Sequence, residues 1–355
     1  MASVASGQSK VQPTRKTDHA SAEDLGHVQR TLTGVQVLAC GAYAPQQVVR
    51  NEDLAELGYD ADWIVQRTGI LERRRAADDQ ATSDLALAAA RDCLANARMT
   101  ADAIDLLIVG TMTPDSPTPA TACRVAGRLG IRAPAMDVSA ACAGFMYALT
   151  TGMQFIKAGT ANHAMIIGAD AMSRICNPED KKTYPLFGDA AGAVIIGKGD
   201  AHQGLISYTM GADGSGADLL CIPGGGTREP LTAEGLAKGR QFMEMDGRSV
   251  FQWAVQMLRE TITSVLAGAR LAPEDVDLVI LHQANIRIID AAIGKLGIER
   301  DKVFVNLDRY GNTSGGSIPL ALAEAQAAGR IKRGDNIVVS GFGAGLAWGT
   351  AVLRW

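Results

Sequence analysis

An alternation that occurs twice constrains this chain more than any other feature. Short β-branched runs take turns with Ala-rich helical stretches, and the second half repeats pieces of the first. Periodicity predicts strands over 106–109, 165–167, 193–196, 278–281, 303–305, 337–339 and 350–353. It predicts helices over 84–97, 143–157, 249–267, 286–296 and 318–328. Interleaving of this kind predicts an α/β fold with helices covering mostly parallel sheet. Asp105-Leu-Leu-Ile-Val resembles Asp277-Leu-Val-Ile-Leu, and Arg128-Leu-Gly-Ile resembles Lys295-Leu-Gly-Ile. The helix ending Ala158-Gly159 resembles the one ending Ala328-Gly329, an offset of 170 that also carries Cys142 onto Asn312. As structural copies, the halves would start equivalent helices at these two residues and bring them together near a pseudo-twofold axis.

Residues 1–32 stand apart: polar, mixed in charge and poor in large apolar side chains, they read as a disordered extension. Asp18, Glu23 and Asp24 argue against an organelle transit peptide there. The fold is expected to begin near Thr33, with 33–200 and 201–355 as its two halves. A net charge of −4 gives no basis for nucleic-acid binding. No apolar run reaches the roughly 18 residues of a membrane span. Six cysteines without a CxxC pair predict free thiols and a cytoplasmic protein, with Cys40, Cys93 and Cys221 as small buried hydrophobes. The five histidines show no metal-ligand spacing, so no metal site is expected.

Three short signatures carry chemistry. Cys142 lies in Ser-Ala-Ala-Cys-Ala-Gly-Phe, just ahead of an apolar helical run. A helix N-terminus offers unpaired N–H groups and a positive dipole end, both of which lower a thiol pKa. His282 follows an apolar strand in His-Gln-Ala-Asn, and Asn312 sits in Gly-Asn-Thr-Ser-Gly-Gly. An imidazole and a carboxamide supply proton handling and hydrogen bonding for carbonyl chemistry. Together the three predict acyl transfer through a thioester on Cys142.

From about residue 35 to Trp355 the chain resembles a β-ketoacyl-(acyl-carrier-protein) synthase III, within the thiolase-like condensing enzymes. The likeness is carried by Asp62-Trp-Ile-Val-Gln-Arg-Thr-Gly-Ile70, Asp137-Val-Ser-Ala-Ala-Cys-Ala-Gly-Phe145 and Phe187-Gly-Asp-Ala-Ala-Gly-Ala193. It continues through His282-Gln-Ala-Asn-Ile-Arg-Ile288, Tyr310-Gly-Asn-Thr-Ser314 and Gly341-Phe-Gly-Ala-Gly345. The resemblance implies a thiolase-like fold of duplicated α-β-α-β-α layered halves related by a pseudo-twofold. It implies a homodimer without cofactor that takes acyl-CoA and malonyl acyl carrier protein as substrates. Cys142 would be acylated and the carrier-bound malonyl unit decarboxylated and condensed, initiating fatty acid synthesis. His282 and Asn312 would stabilise the enolate oxygen.

The same resemblance assigns further roles. The N–H groups of Cys142 and Ala344 would form an oxyanion hole, although the family usually has glycine at the latter place. Trp63, Arg67 and Lys181 would meet the CoA nucleotide, lysine replacing the family's arginine and losing its bidentate fork. Gly247, Phe251, Ala284 and Asn285 would line the pantetheine tunnel, and Arg287 would meet the acidic carrier protein. Thr118 and Phe342 would border the acyl pocket, where threonine leaves room for a longer or branched primer. An amide at 312 separates the chain from elongating relatives, which carry a second histidine there. Thiolases would need a cysteine in the closing glycine loop, which has none. The alternative reading is a relative in specialised metabolism: an acyltransferase without decarboxylation, or a type III polyketide-like condensing enzyme.

Overall fold

Why the chain forms two sheets with helices pressed between them follows from which runs are apolar on every side. In the computed structural model, which describes residues 29–355, the strands over Leu106–Gly110 and Leu278–Leu281 are buried at every position. Strands buried on both faces must be covered by other layers on both sides. The first sheet runs, in spatial order, Val35–Tyr43, Asp189–Lys198, His163–Ala171, Leu106–Gly110, Ala135–Val138. The second runs Arg30–Thr33, Gly204–Ala212, Ala347–Arg354, Asn336–Gly343, Leu278–Leu281. With Arg30–Thr33 set aside, the remaining strands of the second sheet follow the connection order of the first. A lone parallel bridge from Val279 to Val303 stands where the first sheet has its last strand. The strand expected over 303–305 is reduced to that single bridge.

Both sheets are mixed. Leu106–Gly110 pairs in parallel with both neighbours, as Leu278–Leu281 does with Asn336–Gly343. The other ladders are antiparallel. The expectation of mostly parallel sheet is therefore corrected: the hairpin Asn336–Gly343 to Ala347–Arg354 returns through a tight turn, which only antiparallel strands permit. The boundary at 32 is also corrected. Residues 1–28 of the expected extension lie outside the described residues. Arg30–Thr33, however, is a strand paired with Gly204–Ala212, and its Leu32 is buried in the core. This first strand thus belongs to the second sheet.

Helices Gly144–Lys157 and Ser317–Ala327 form the middle layer. Apolar around most of their circumference, they suit burial between two sheets. One cluster joins them to the inner faces of both sheets through Phe145, Leu149, Leu322, Ile166, Ile280 and Val339. Helices Thr82–Ala97 and Thr121–Leu129 cover the first sheet outside, and Gly247–Ala269 with Ile286–Ile293 covers the second. The result is five layers, α-β-α-β-α.

The helices approach the sheets at glycine notches. Gly168 and Gly192 are register partners in the first sheet. A Cβ on Gly168 would fall 2.1 Å from the Gly315 carbonyl oxygen, and one on Gly192 would fall 2.4 Å from Leu320 N. Gly341 and Gly349, partners in the second sheet, receive Ala143 and Met146 in the same way. Each sheet is thus notched for the other half's central helix, which places both helix starts side by side.

Candidate active site

Both central helices begin with a single 3₁₀ turn, Ala141–Ala143 and Ser314–Gly316. In each the first residue is a non-glycine in the left-handed region, Ala141 at φ 46° and Ser314 at φ 50°. That equivalence fixes the register of the duplication at 173 here, from Ala141 to Ser314. Cys142 therefore corresponds to Gly315 and not to Asn312, which lies just before the equivalent turn. The two helices are equivalent as expected; the residue pairing is corrected.

Cys142 is buried in its turn, and Ser314 Oγ lies 3.3 Å from its sulfur. The expectation of a thiol acidified by the helix start is overturned. Burial pushes the Cys142 thiol up to about 12, the Asp170 carboxylate adds to the rise, and the Ser314 hydrogen bond opposes it. His282, equally buried, is held at about 3 by desolvation and is a neutral imidazole. Its Nδ1 lies 2.7 Å from Ser317 Oγ, at the start of the second central helix, while the Phe342 ring packs against it at a steep angle, ring centres 5.1 Å apart. Asn312 accepts the Ser314 N–H on Oδ1 at 2.9 Å, which leaves its NH₂ end for the cavity. Backbone bonds to Leu186 and Gly188 fix it from the other side. The three side chains line one cavity of about 100 Å³. Gly343 closes it: a Cβ there would meet Cys142 N and Cβ at 2.9 Å, so only glycine lets the closing loop come this near. Ala344, the next residue, lines the same cavity.

This cavity continues outward. Leu186, Met245, Gly247, Phe251 and Asn285 form its walls and also those of an open groove of about 940 Å³. Trp63, Arg67, Lys181, Lys182, Arg248 and Arg287 border that groove, against the acidic Asp218, Glu244 and Asp246. Trp63 is 45% exposed with the Arg67 guanidinium 5.9 Å from its ring centre. Lys181 Nζ donates to the Gly58 carbonyl at 2.8 Å, and Arg287 lies over the Phe251 ring. Ala284 lines the inner cavity. Asn285 is largely committed elsewhere: its side chain caps helix Ile286–Ile293 through Arg287 N and donates to the Arg67 carbonyl. An adjoining cavity of about 420 Å³ shares Met112, Ala141, Leu220, Met243 and Ala344 with the first, but is not lined by Cys142.

Thr118 is not brought to any of these spaces. It is exposed beside Pro119 and is not among the residues that line these cavities in a single chain; Met112 is. Phe342 is at the cavity, but as a brace for His282. Residues the sequence reading missed include Ser314, Ser317, Leu220, Met243 and Asp170. Asp170 is buried and accepts hydrogen bonds from Thr111, Met112 N, Thr113 and Gly315 N, tying the loop after Leu106–Gly110 to the second central helix. The serines stand inside or beside a quoted motif, which was their signal.

A basic groove leading through a neck to a buried cysteine with a neutral imidazole and a carboxamide suits a thioester on a long, anionic carrier arm. Comparison with known proteins decides the family. The profile of the 3-oxoacyl-(acyl-carrier-protein) synthase III C-terminal domain matches residues 266–355, and that of the synthase III domain matches 136–214. A β-ketoacyl-(acyl-carrier-protein) synthase III of Rhodopirellula baltica is 54% identical over 91% of this chain and 99% of its own. The chain belongs to the β-ketoacyl-(acyl-carrier-protein) synthase III family. It is therefore a condensing acyltransferase. The crystal structure of the Thermus thermophilus synthase III is 43% identical, with TM-score 0.84 over 90% of this chain and 99% of that one. That of Aquifex aeolicus is 40% identical, with TM-score 0.83 over 91% and 100%.

The buried, neutral His282 has a consequence for stability. Its unfolded-state pKa is near 6.5 and its folded value about 3. Between these values the unfolded chain binds more protons, so stability falls as pH drops, by about 1.4 kcal/mol per pH unit. The buried carboxyls of Asp170 and Asp189, raised by desolvation, act in the opposite sense. Denaturant titrations from pH 7 to 4 on the native protein and on His282→Asn will isolate the histidine. The native protein is expected to lose stability faster, and parallel curves would contradict a buried neutral imidazole.

Proposed function

We propose that this chain condenses an acyl-CoA primer with malonyl acyl carrier protein by way of a thioester on Cys142. One observation carries the reading: Cys142, His282 and Asn312 share a cavity whose neck opens on a groove bordered by Trp63, Arg67 and Lys181. In the first half-reaction the sulfur attacks the thioester carbonyl and CoA leaves. The thiol proton passes by way of His282 to the departing CoA sulfur, and the N–H groups of Cys142 and Ala344 receive the developing oxyanion. In the second, the carbon–carbon bond to the malonyl carboxylate breaks and CO₂ departs. The electron pair becomes an enolate whose oxygen takes hydrogen bonds from His282 Nε2 and the Asn312 amide. Its carbon attacks the acyl carbonyl, and the Cys142 thiolate is expelled and reprotonated. Ser317 suits both halves, because a hydroxyl at Nδ1 can accept from one imidazole tautomer and donate to the other.

Trp63, Arg67 and Lys181 would hold the CoA nucleotide; Gly247, Phe251 and Ala284 the pantetheine arm; and Arg287 the acidic carrier. The cavity of about 420 Å³ that adjoins the Cys142 cavity through Ala141 and Ala344 supports primers longer than acetyl. We read the chain as two halves divided near residue 200, with no cofactor required. We further read it as a homodimer joined along the open edge of strand Ala135–Val138, working in the cytoplasm. Its six free thiols support that compartment. Release of CO₂ from malonyl carrier protein, measured across acetyl-, isobutyryl-, octanoyl- and lauroyl-CoA, tests the reading. Acyl transfer without CO₂ would overturn the condensation, and strict acetyl preference would overturn the longer primer.

A further inference from the structure

Four non-glycine residues among those described have a left-handed backbone. Arg98 and Arg270 close helices at the surface, where that conformation is common. The other two, Ala141 and Ser314, bracket the Cys142 sulfur. Ser314 is fully buried in a segment with glycine at 311, 315 and 316. Glycine would adopt its φ of 50° without steric penalty, whereas serine costs about 1 kcal/mol. Something specific to the side chain offsets that strain.

The surroundings of the hydroxyl supply the reason. The Ser314 backbone is pinned on both sides, its N–H on Asn312 Oδ1 and the following N–H on Asp170 Oδ2 at 2.8 Å. Its Oγ is thereby held 3.3 Å from Cys142 Sγ. The Asp170 carboxylate, which accepts the Gly315 N–H, stands beside the same turn. A hydroxyl has one proton and two lone pairs. With the sulfur protonated, S–H can donate to a lone pair of Oγ. With the sulfur negative, the hydroxyl rotates and donates to it. Asp170 is the charged group whose field reaches the sulfur, the neutral His282 shares its cavity, and no charged side chain lines that cavity among the described residues.

We propose that Ser314 is a catalytic residue: its hydroxyl donates a hydrogen bond to the Cys142 sulfur whenever that atom carries negative charge. Such charge develops twice, as the thiol is deprotonated for attack and as the thiolate is expelled from the condensation intermediate. The inference uses the proposed role of Cys142 as nucleophile, but its first test needs neither acyl-CoA nor carrier protein. Ser314→Gly removes the hydroxyl and relieves the backbone, so this variant is expected to melt no lower than the native protein. Its rate of Cys142 alkylation by iodoacetamide is expected to rise with pH along a curve displaced upward by about one pH unit, with about tenfold slower alkylation at pH 7.5. Ser314→Ala, which keeps the β-carbon and its packing, should show the same displacement. Unchanged pH curves in the folded variants would overturn the proposal, and so would a displacement in Gly but not in Ala. A displaced curve in a protein whose native form takes no acyl group would keep Ser314's role and sink the proposed reaction instead.

Discussion

Cys142→Ala will yield a folded protein that takes up no acyl group from any acyl-CoA and condenses at least about four orders of magnitude more slowly. Folding survives because the side chain is small and sits among Ala140, Ala141 and Ala143, so losing one sulfur atom costs about 1 kcal/mol. Activity does not survive because the acyl group has no other carrier in the cavity. A competing thiol is Cys221, which lines the neighbouring cavity together with Ala344. Intact-protein mass spectrometry before and after acyl-CoA, with the adduct located by peptide mapping, separates the two thiols. An adduct that persists in the variant at Cys221 would mean that the nucleophile has been misassigned, and the roles given to His282 and Asn312 would fall with it.

Gly168→Ala is expected to be strongly destabilising. The new carbon would lie 2.1 Å from the Gly315 carbonyl oxygen, a backbone atom that has no flexible end to move aside. Packing at native density leaves nowhere for it to go, so the second central helix must retreat from the first sheet, at about 3 kcal/mol or more. Gly315 N also holds Asp170, and Ser314 precedes it, so the same retreat loosens the turn beside the sulfur. Thermal melts should fall by several degrees, and alkylation of Cys142 should change with them. Gly127→Ala, at a position where nothing lies within 4 Å, is the control and should melt as the native protein does. Equal melting of the two variants would show that the notch does not carry the contact between the halves.

What could be read from residue order depended on distance along the chain. Cys142, His282 and Asn312 were legible because each sits in a dense local signature of small residues. Leu220, Met243 and Met245 were not, since they arrive at the cavity on an excursion with little periodicity, between Ala212 and the helix that starts at Gly247. Asp170 ends an apolar strand, and nothing local marks it as the tie between two loops. The duplication itself was visible, yet its offset was not uniform: 172 from Leu106 to Leu278 and 173 from Ala141 to Ser314, because connecting loops differ in length. The second central helix is also shorter, 11 residues against 14, so an offset of 170 that matches the helix ends pairs the wrong residues at their starts. The acidity of Cys142 was misjudged for a related reason. A helix start is written in the sequence, but the depth at which the fold buries it is not.

The neck formed by Leu186, Met245, Gly247 and Phe251 connects the three reactive side chains to the basic groove. If both pantetheine arms travel it, they must take turns. Free CoA has to vacate the passage before the extender arrives, which imposes double-displacement kinetics. Each thioester then becomes a competitive inhibitor of the other, so the ratio of primer to loaded carrier would throttle the first step of chain building.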